Sequence, residues 1–291
     1  GFQFTFLAAH DPDLATKVWD GITERTKIVH GEITTNPTID LWDVPAVSEI
    51  CKTHSKARPL LSVDSSFTSP YNFRPFQWGA NVIEESATKY LGAHGAFTAG
   101  LAVVSEATLL EFPDFWKNAN AWANHHGGTP SDFMASDLGL FMEDLHTRVP
   151  VQNANALRIA KFLARHPKIA RVHYLGLEEH PHHTLARKLL HSPDTKKPVF
   201  GGMVSFRIQG GLTAAKQLLY TLNNTTIIKH KPSLGYTKTI VESPWILSQM
   251  SMTLQHRELF GITEDLIRLS CGIEPTKDLL EALEKGLRLS A

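Results

Sequence analysis

The chain has 291 residues, 42% hydrophobic and 20% charged, with 29 Lys and Arg set against 29 Asp and Glu. That length supports a sizeable core in more than one lobe, and the balanced charge excludes both a basic field for nucleic acid and an acidic tail. No apolar stretch approaches the ~18 residues of a membrane helix. The two cysteines, Cys51 and Cys271, lie far apart and outside any C-x-x-C arrangement, which argues against a disulfide scaffold and fits a reducing, cytoplasmic setting.

In chain order, residues 2–7 read as a strand and residues 13–23 as a helix after the Asp11-Pro12 turn. Residues 27–33 are β-rich and run into the polar turn Thr34-Thr35-Asn36-Pro37. Residues 47–54 carry apolar side chains at helical spacing. Residues 59–63 form a short buried strand that ends on Asp64, and residues 80–83 and 97–104 complete the set. Strands separated by helix-length segments predict βαβ units and a mostly parallel sheet, with its ligand edge beyond the carboxyl ends of the strands. Asp64 and Lys89 both fall just after a strand, on that edge.

The texture changes near residue 138. Residues 140–166 read as one long helix, followed by strand-like 172–175 and 202–208, helical 214–222, a loop-rich stretch, and a last helix from Thr276. The predicted organisation is a large lobe over residues 1–143 and a smaller α+β lobe over residues 144–291.

In Ser86-Ala87-Thr88-Lys89, an amine follows hydroxyls one and three residues earlier. This pattern suits an aldehyde cofactor that carries a phosphate: the lysine forms the imine and the hydroxyls donate to phosphate oxygens. On its own the signal is weak, because a lysine after a serine and a threonine is usually just a solvated lysine. Asp64 adds weight, because an acid closing an apolar strand must be paired when buried. A carboxylate against a pyridine nitrogen keeps that nitrogen protonated. The alternative for Asp64 is a turn or capping acid, since Ser65 and Ser66 follow. His180, His182 and His183, like His125 and His126, lack partners at metal-ligand spacing and read as solvent-facing loop residues. Gly127-Gly128-Thr129 lacks the Lys-Ser/Thr of a phosphate-binding loop.

Val63-Asp64-Ser65-Ser66-Phe67-Thr68-Ser69-Pro70 resembles the V-D-N-T-F-A-T-P motif of the Cys/Met metabolism family of pyridoxal-phosphate (PLP) enzymes. Arg74-Pro75 through Ile83, then Ser86-Ala87-Thr88-Lys89-Tyr90-Leu91-Gly92-Ala93-His94, follow at that family's spacing. Glu32 to Pro37, Gly176 to His183, Ser233-Leu234-Gly235 and Leu266 to Glu274 resemble further motifs of the family, in the same order.

The resemblance implies an aspartate-aminotransferase-like α/β fold, PLP as cofactor, and β- or γ-elimination or γ-replacement on a sulfur amino acid or an O-acyl-homoserine. It also implies a homo-oligomer, a dimer or dimer of dimers. Carried onto matching positions, Lys89 is the catalytic lysine, Asp64 pairs with the ring nitrogen, Ser86 and Thr88 hold phosphate, and Asn36 lies by the phenolic oxygen. Arg268 takes the substrate α-carboxylate, and Ser233 orients the lysine or that carboxylate. Departures occur at Ala96, Ser131-Asp132-Phe133 and Met252-Thr253-Leu254. The resemblance further implies an N-terminal segment with more phosphate contacts. From this comes the alternative expectation: a truncated, catalytically weak or silent scaffold or partner subunit.

Overall fold

The computed structural model describes residues 1–290. It contains two sheets, and their connectivity follows the change in texture along the chain. In the first, β1 (Ile28–Glu32), β2 (Leu60–Asp64) and β3 (Val82–Glu85) run parallel, and β4 (Leu101–Val104) closes the order β1-β2-β3-β4 antiparallel to β3. Helix α1 (Leu14–Gly21) precedes β1, and α2 (Val44–Thr53) crosses from β1 to β2. The Asp43 side chain starts α2 by accepting from the Ala46 amide at 3.1 Å, and Pro45 sits in the first turn, where its missing N–H costs nothing. The helix buries Val44, Val47 and Cys51 in the core that Leu61 and Val63 of β2 share. The short α3 (Ser69–Asn72) and a 3-10 turn (Pro75–Trp78) lead into β3.

Beyond β4 come α4 (Glu106–Glu111), α5 (Asp114–His125), α6 (Asp132–Glu143) and α7 (Leu145–Leu163). The second sheet has the order β5-β6-β9-β8-β7, antiparallel except for the β7–β8 pair. It is built from β5 (Ile169–His173), β6 (Met203–Ile208), β7 (Lys229–His230), β8 (Ile240–Glu242) and β9 (Leu266–Ser270). Helices α8 (His183–Leu189), α9 (Gly211–Asn223), α10 (Leu254–Leu259) and α11 (Thr276–Leu289) intervene or follow. Helix α9 places Ala215, Leu218 and Leu222 in the second core beside Leu279 and Leu283 of α11.

Several expectations are corrected. Residues 2–7 form no strand: Phe2, Phe4 and Phe6 alternate as a strand would, yet all three side chains are exposed. Alternation does not hold a strand without a neighbour to take its N–H and C=O groups, and no described strand lies beside it. Only Leu101–Val104 of residues 97–104 is strand. The long helix at 140–166 is two helices, broken at Asp144 (φ −94°, ψ 7°). The "loop-rich" stretch holds β7, β8, α10 and β9. In β9 every residue is buried, a central strand whose apolar run is interrupted by Arg268.

Helix α7 joins the two cores. Val149 belongs to the first, and Ala156, Ile159, Ala160 and Leu163 to the second. The buried Arg148 pins its start: Nη1 donates to the Tyr90 carbonyl at 2.9 Å, Nη2 donates to the Phe141 carbonyl at 2.6 Å, and Nε pairs with the Asp144 carboxylate. Among the described residues no helix is long and apolar enough to cross a membrane. Replacing Arg148 by Leu strands the Tyr90 and Phe141 carbonyls, so the urea midpoint should fall by the equivalent of about 3 kcal/mol with the m-value unchanged.

Candidate active site

Each of the three parallel strands ends in an acid: Glu32 on β1, Asp64 on β2 and Glu85 on β3. Their shared direction gathers these carboxyl groups on one sheet edge. Glu32 Oε2 accepts from the Asn36 amide at 2.7 Å, and Asp64 Oδ1 accepts from the Ser66 amide at 2.8 Å. Burial, with a smaller contribution from the neighbouring Asp64, pushes the Glu85 carboxyl up to about 8 and Glu32 up to about 7.

Lys89 stands in the tight turn after β3, where its amide donates to the Ser86 carbonyl at 2.9 Å and its carbonyl accepts from the Ala93 amide at 3.2 Å. Its Nζ donates to Ser233 Oγ at 2.8 Å. Burial lowers the affinity of this amine for its proton, and the Arg268 charge lowers it further.

Ser233 reaches Lys89 because the chain beyond it presses on the lysine's own backbone. Gly235 has φ +76°, and a Cβ there would lie 2.6 Å from the Tyr90 nitrogen and 3.0 Å from the Lys89 carbonyl carbon. Only glycine permits that approach. Gly235 N also donates to Ser270 Oγ on β9 at 2.8 Å.

Arg268 enters from the centre of the second sheet. It faces Ser205 across to β6 and Glu242 across to β8, in direct register with both. Its Nη1 donates to Asn36 Oδ1 at 2.6 Å, its Nη2 donates to the Ser233 carbonyl at 3.2 Å, and Nη2 also pairs with Glu242 Oε1. The guanidinium lies over the Phe67 ring, 5.8 Å from its centroid.

Of the residues singled out from sequence, Lys89, Ser233, Arg268 and Asn36 thus form one continuous polar chain, and Asp64 ends the strand beside β3. Ser86 and Thr88 differ. The Ser86 hydroxyl has no protein partner among the described residues. The Thr88 hydroxyl accepts from the Ala99 amide at 2.9 Å and donates to its carbonyl at 3.3 Å, which ties down the loop ahead of β4.

Glu242, Glu32, Glu85 and Arg148 were not assigned roles. Glu242 carried the signal that marked Asp64, an acid closing a short apolar run, Ile240-Val241. His180 is buried rather than solvent-facing, and burial holds its imidazole down at about 4. His125 and His126 are exposed. Both cysteines are buried. Burial pushes Cys51 up to about 11 and Cys271 higher still.

This donor set fits PLP. It offers an amine with lowered proton affinity for the aldehyde, a carboxylate on the same edge for the pyridine nitrogen, and an unpartnered hydroxyl for phosphate. An α/β sheet edge carrying these groups beside a buried arginine defines the PLP-dependent class with the aspartate-aminotransferase-like fold.

The comparisons agree. The family described as Cys/Met metabolism PLP-dependent enzyme matches residues 3–288. The L-methionine gamma-lyase of Fusobacterium nucleatum subsp. polymorphum is 33% identical over 289 residues, covering 99% of this chain and 68% of that protein. The cystathionine gamma-lyase of Saccharomyces cerevisiae is 34% identical over 278 residues, covering 95% and 67%. Among solved structures, cystathionine gamma-lyase from Lactobacillus plantarum complexed with L-serine superposes with a TM-score of 0.86 at 28% identity, covering 99% of this chain and 70% of that one. The chain belongs to the Cys/Met metabolism family of PLP-dependent enzymes, and it spans about two thirds of the length of these relatives.

The strand-end acids make stability depend on pH. Between pH 4.5 and about 8 the folded protein holds a proton on Glu85 that the unfolded chain has released, so stability falls as pH rises through that window. Glu85→Gln should therefore stabilise the fold at pH 9 by about 2–4 kcal/mol relative to the natural chain. The advantage should vanish near pH 4. Denaturant titrations at both pH values measure it, and Glu32 should leave a smaller slope of the same sign in the variant.

Proposed function

We propose that this chain carries out β- or γ-elimination, or γ-replacement, on a sulfur-containing amino acid or an activated homoserine. The observation that carries this reading is the continuous chain Lys89–Ser233–Arg268–Asn36 laid along the edge where Asp64 ends its strand. The lyase names of the relatives and the L-serine bound in one similar structure support an amino-acid substrate. Nothing in the comparisons favours a silent scaffold.

Bound PLP supplies an aldehyde carbon and an electron-accepting ring. Arg268 takes the α-carboxylate, the planar pairing that guanidinium suits best, and so fixes the substrate's Cα relative to Lys89. The Lys89 amine, held ready by Ser233 and kept from binding its proton as tightly as an exposed lysine, takes the proton from Cα and delivers it again later. Asp64 would hold the proton on the ring nitrogen of PLP, Asn36 would offer its amide N–H₂ to the phenolic oxygen, and Ser86 and Thr88 would donate to the phosphate.

We place the boundary of the large and small lobes at residues 143/144, where Asp144 separates α6 from α7. Exposed Trp116, Trp122, Phe133 and Leu140 support a homo-oligomer, and two buried free cysteines support a cytoplasmic setting.

The test is to incubate the protein with PLP, record the visible absorbance of bound cofactor, and follow α-keto acid release from L-methionine, cystathionine and O-acetylhomoserine. Lys89→Ala should abolish the absorbance band and lower turnover by about a thousandfold or more. An unchanged band in that variant sinks the assignment.

A further inference from the structure

Arg268 already has a carboxylate partner from its own chain. Glu242 and Arg268 are 1% and 3% exposed, lie directly opposite one another on β8 and β9, and pair through Glu242 Oε1 and Arg268 Nη2. Ser248 Oγ donates to that same Oε1 at 2.8 Å, whereas Glu242 Oε2 is buried with no hydrogen-bond partner. Both guanidinium and carboxylate are thus out of water, and the pair is made through a single carboxylate oxygen shared with a hydroxyl.

A buried guanidinium needs a counter-charge, since leaving one uncompensated is strongly destabilising. Glu242 supplies it when no substrate is present. An α-carboxylate arriving at Arg268 then meets a cation that is already neutralised, at a distance where interactions between buried charges are weakly screened.

We propose that Glu242 is a positioning and affinity-setting residue: the internal counter-ion of Arg268, which holds the guanidinium in place and with which the substrate carboxylate must compete. This rests on reading Arg268 as the carboxylate-binding residue. Its consequence separates it from a purely structural role. Removing the Glu242 charge while keeping its shape lowers the stability of the fold but strengthens the hold of Arg268 on a carboxylate. A Glu242 that served only to support the fold would lose stability and affinity together.

The test uses the full chain loaded with PLP and glycine as the probe, because glycine has a carboxylate and an amine but no β-carbon from which to eliminate. Binding is read from the change in visible absorbance, and stability from thermal melting. Glu242→Gln should bind glycine about tenfold more tightly and melt at a lower temperature. Arg268→Lys, which keeps the charge but loses the planar fork, should bind glycine at least about tenfold more weakly with the cofactor spectrum unchanged.

If Glu242→Gln binds glycine no better than the natural chain while Arg268→Lys binds it weakly, the counter-ion proposal fails and the reading of Arg268 stands. If Arg268→Lys binds glycine normally, that reading fails and the proposal falls with it. Should Glu242→Gln not fold, Ser248→Ala decides. It leaves Oε1 to Arg268 alone, so glycine should bind about two- to threefold more weakly. Unchanged or tighter binding overturns the proposal.

Discussion

The contact between Lys89 and the loop from Ser233 to Gly235 joins two parts of the chain that share no strand. On one side is the carboxyl edge of a parallel sheet, and on the other the loop leading from β7 to β8 in a second sheet. Glycine at 235 allows that loop to lie against the Lys89–Tyr90 backbone, and Arg148 holds the Tyr90 carbonyl from behind. The position of the amine is therefore set by the packing of backbone segments rather than by the flexibility of a four-carbon side chain. Arg268 is held to the same loop through the Ser233 carbonyl. A shift of that loop moves the Lys89 amine and the Arg268 guanidinium together.

Charge is arranged around this contact at a cost to stability. Three acids end three parallel strands, and two of them bind protons more tightly than an exposed carboxyl because water is excluded. The second sheet contributes an arginine and its own acid in a buried pair, which attraction alone barely repays for desolvation. Such arrangements are retained where chemistry uses them. The folded core offsets the expense through α2, α7, α9 and α11, whose apolar faces line the two cores.

How much of this was legible in the sequence depended on whether a residue's role came from its neighbours in the chain or in space. Asp64 and Lys89 were visible because each follows an apolar strand in a parallel pattern. The parallel order of β1, β2 and β3 followed from the helix-length segments between them. Arg268 and Ser233 were legible only through resemblance, since their meaning lies in contacts with Lys89 and Asn36 far away in sequence. Glu242 showed the same strand-end acid as Asp64, but its partner lies on a strand that read as loop. Residues 2–7 failed in the opposite way: the period of a strand was present and its neighbour was not. The hydroxyl of Thr88 was read as a phosphate donor, and its hydrogen bonds to Ala99 depend on a loop geometry that spacing does not encode.

The burial of Cys51 and Cys271 has a bearing on the proposed chemistry. Elimination from a sulfur amino acid releases a thiol or sulfide beside the protein with each turnover. Such products exchange readily with accessible disulfides and, once oxidised, cap exposed thiols, and the attacking species on either side is the thiolate. Here neither cysteine is open to solvent, and burial keeps both protonated well beyond neutral pH. With elimination as the proposed reaction, neither thiol is presented to solvent where those products are released, so activity should persist without an added reductant.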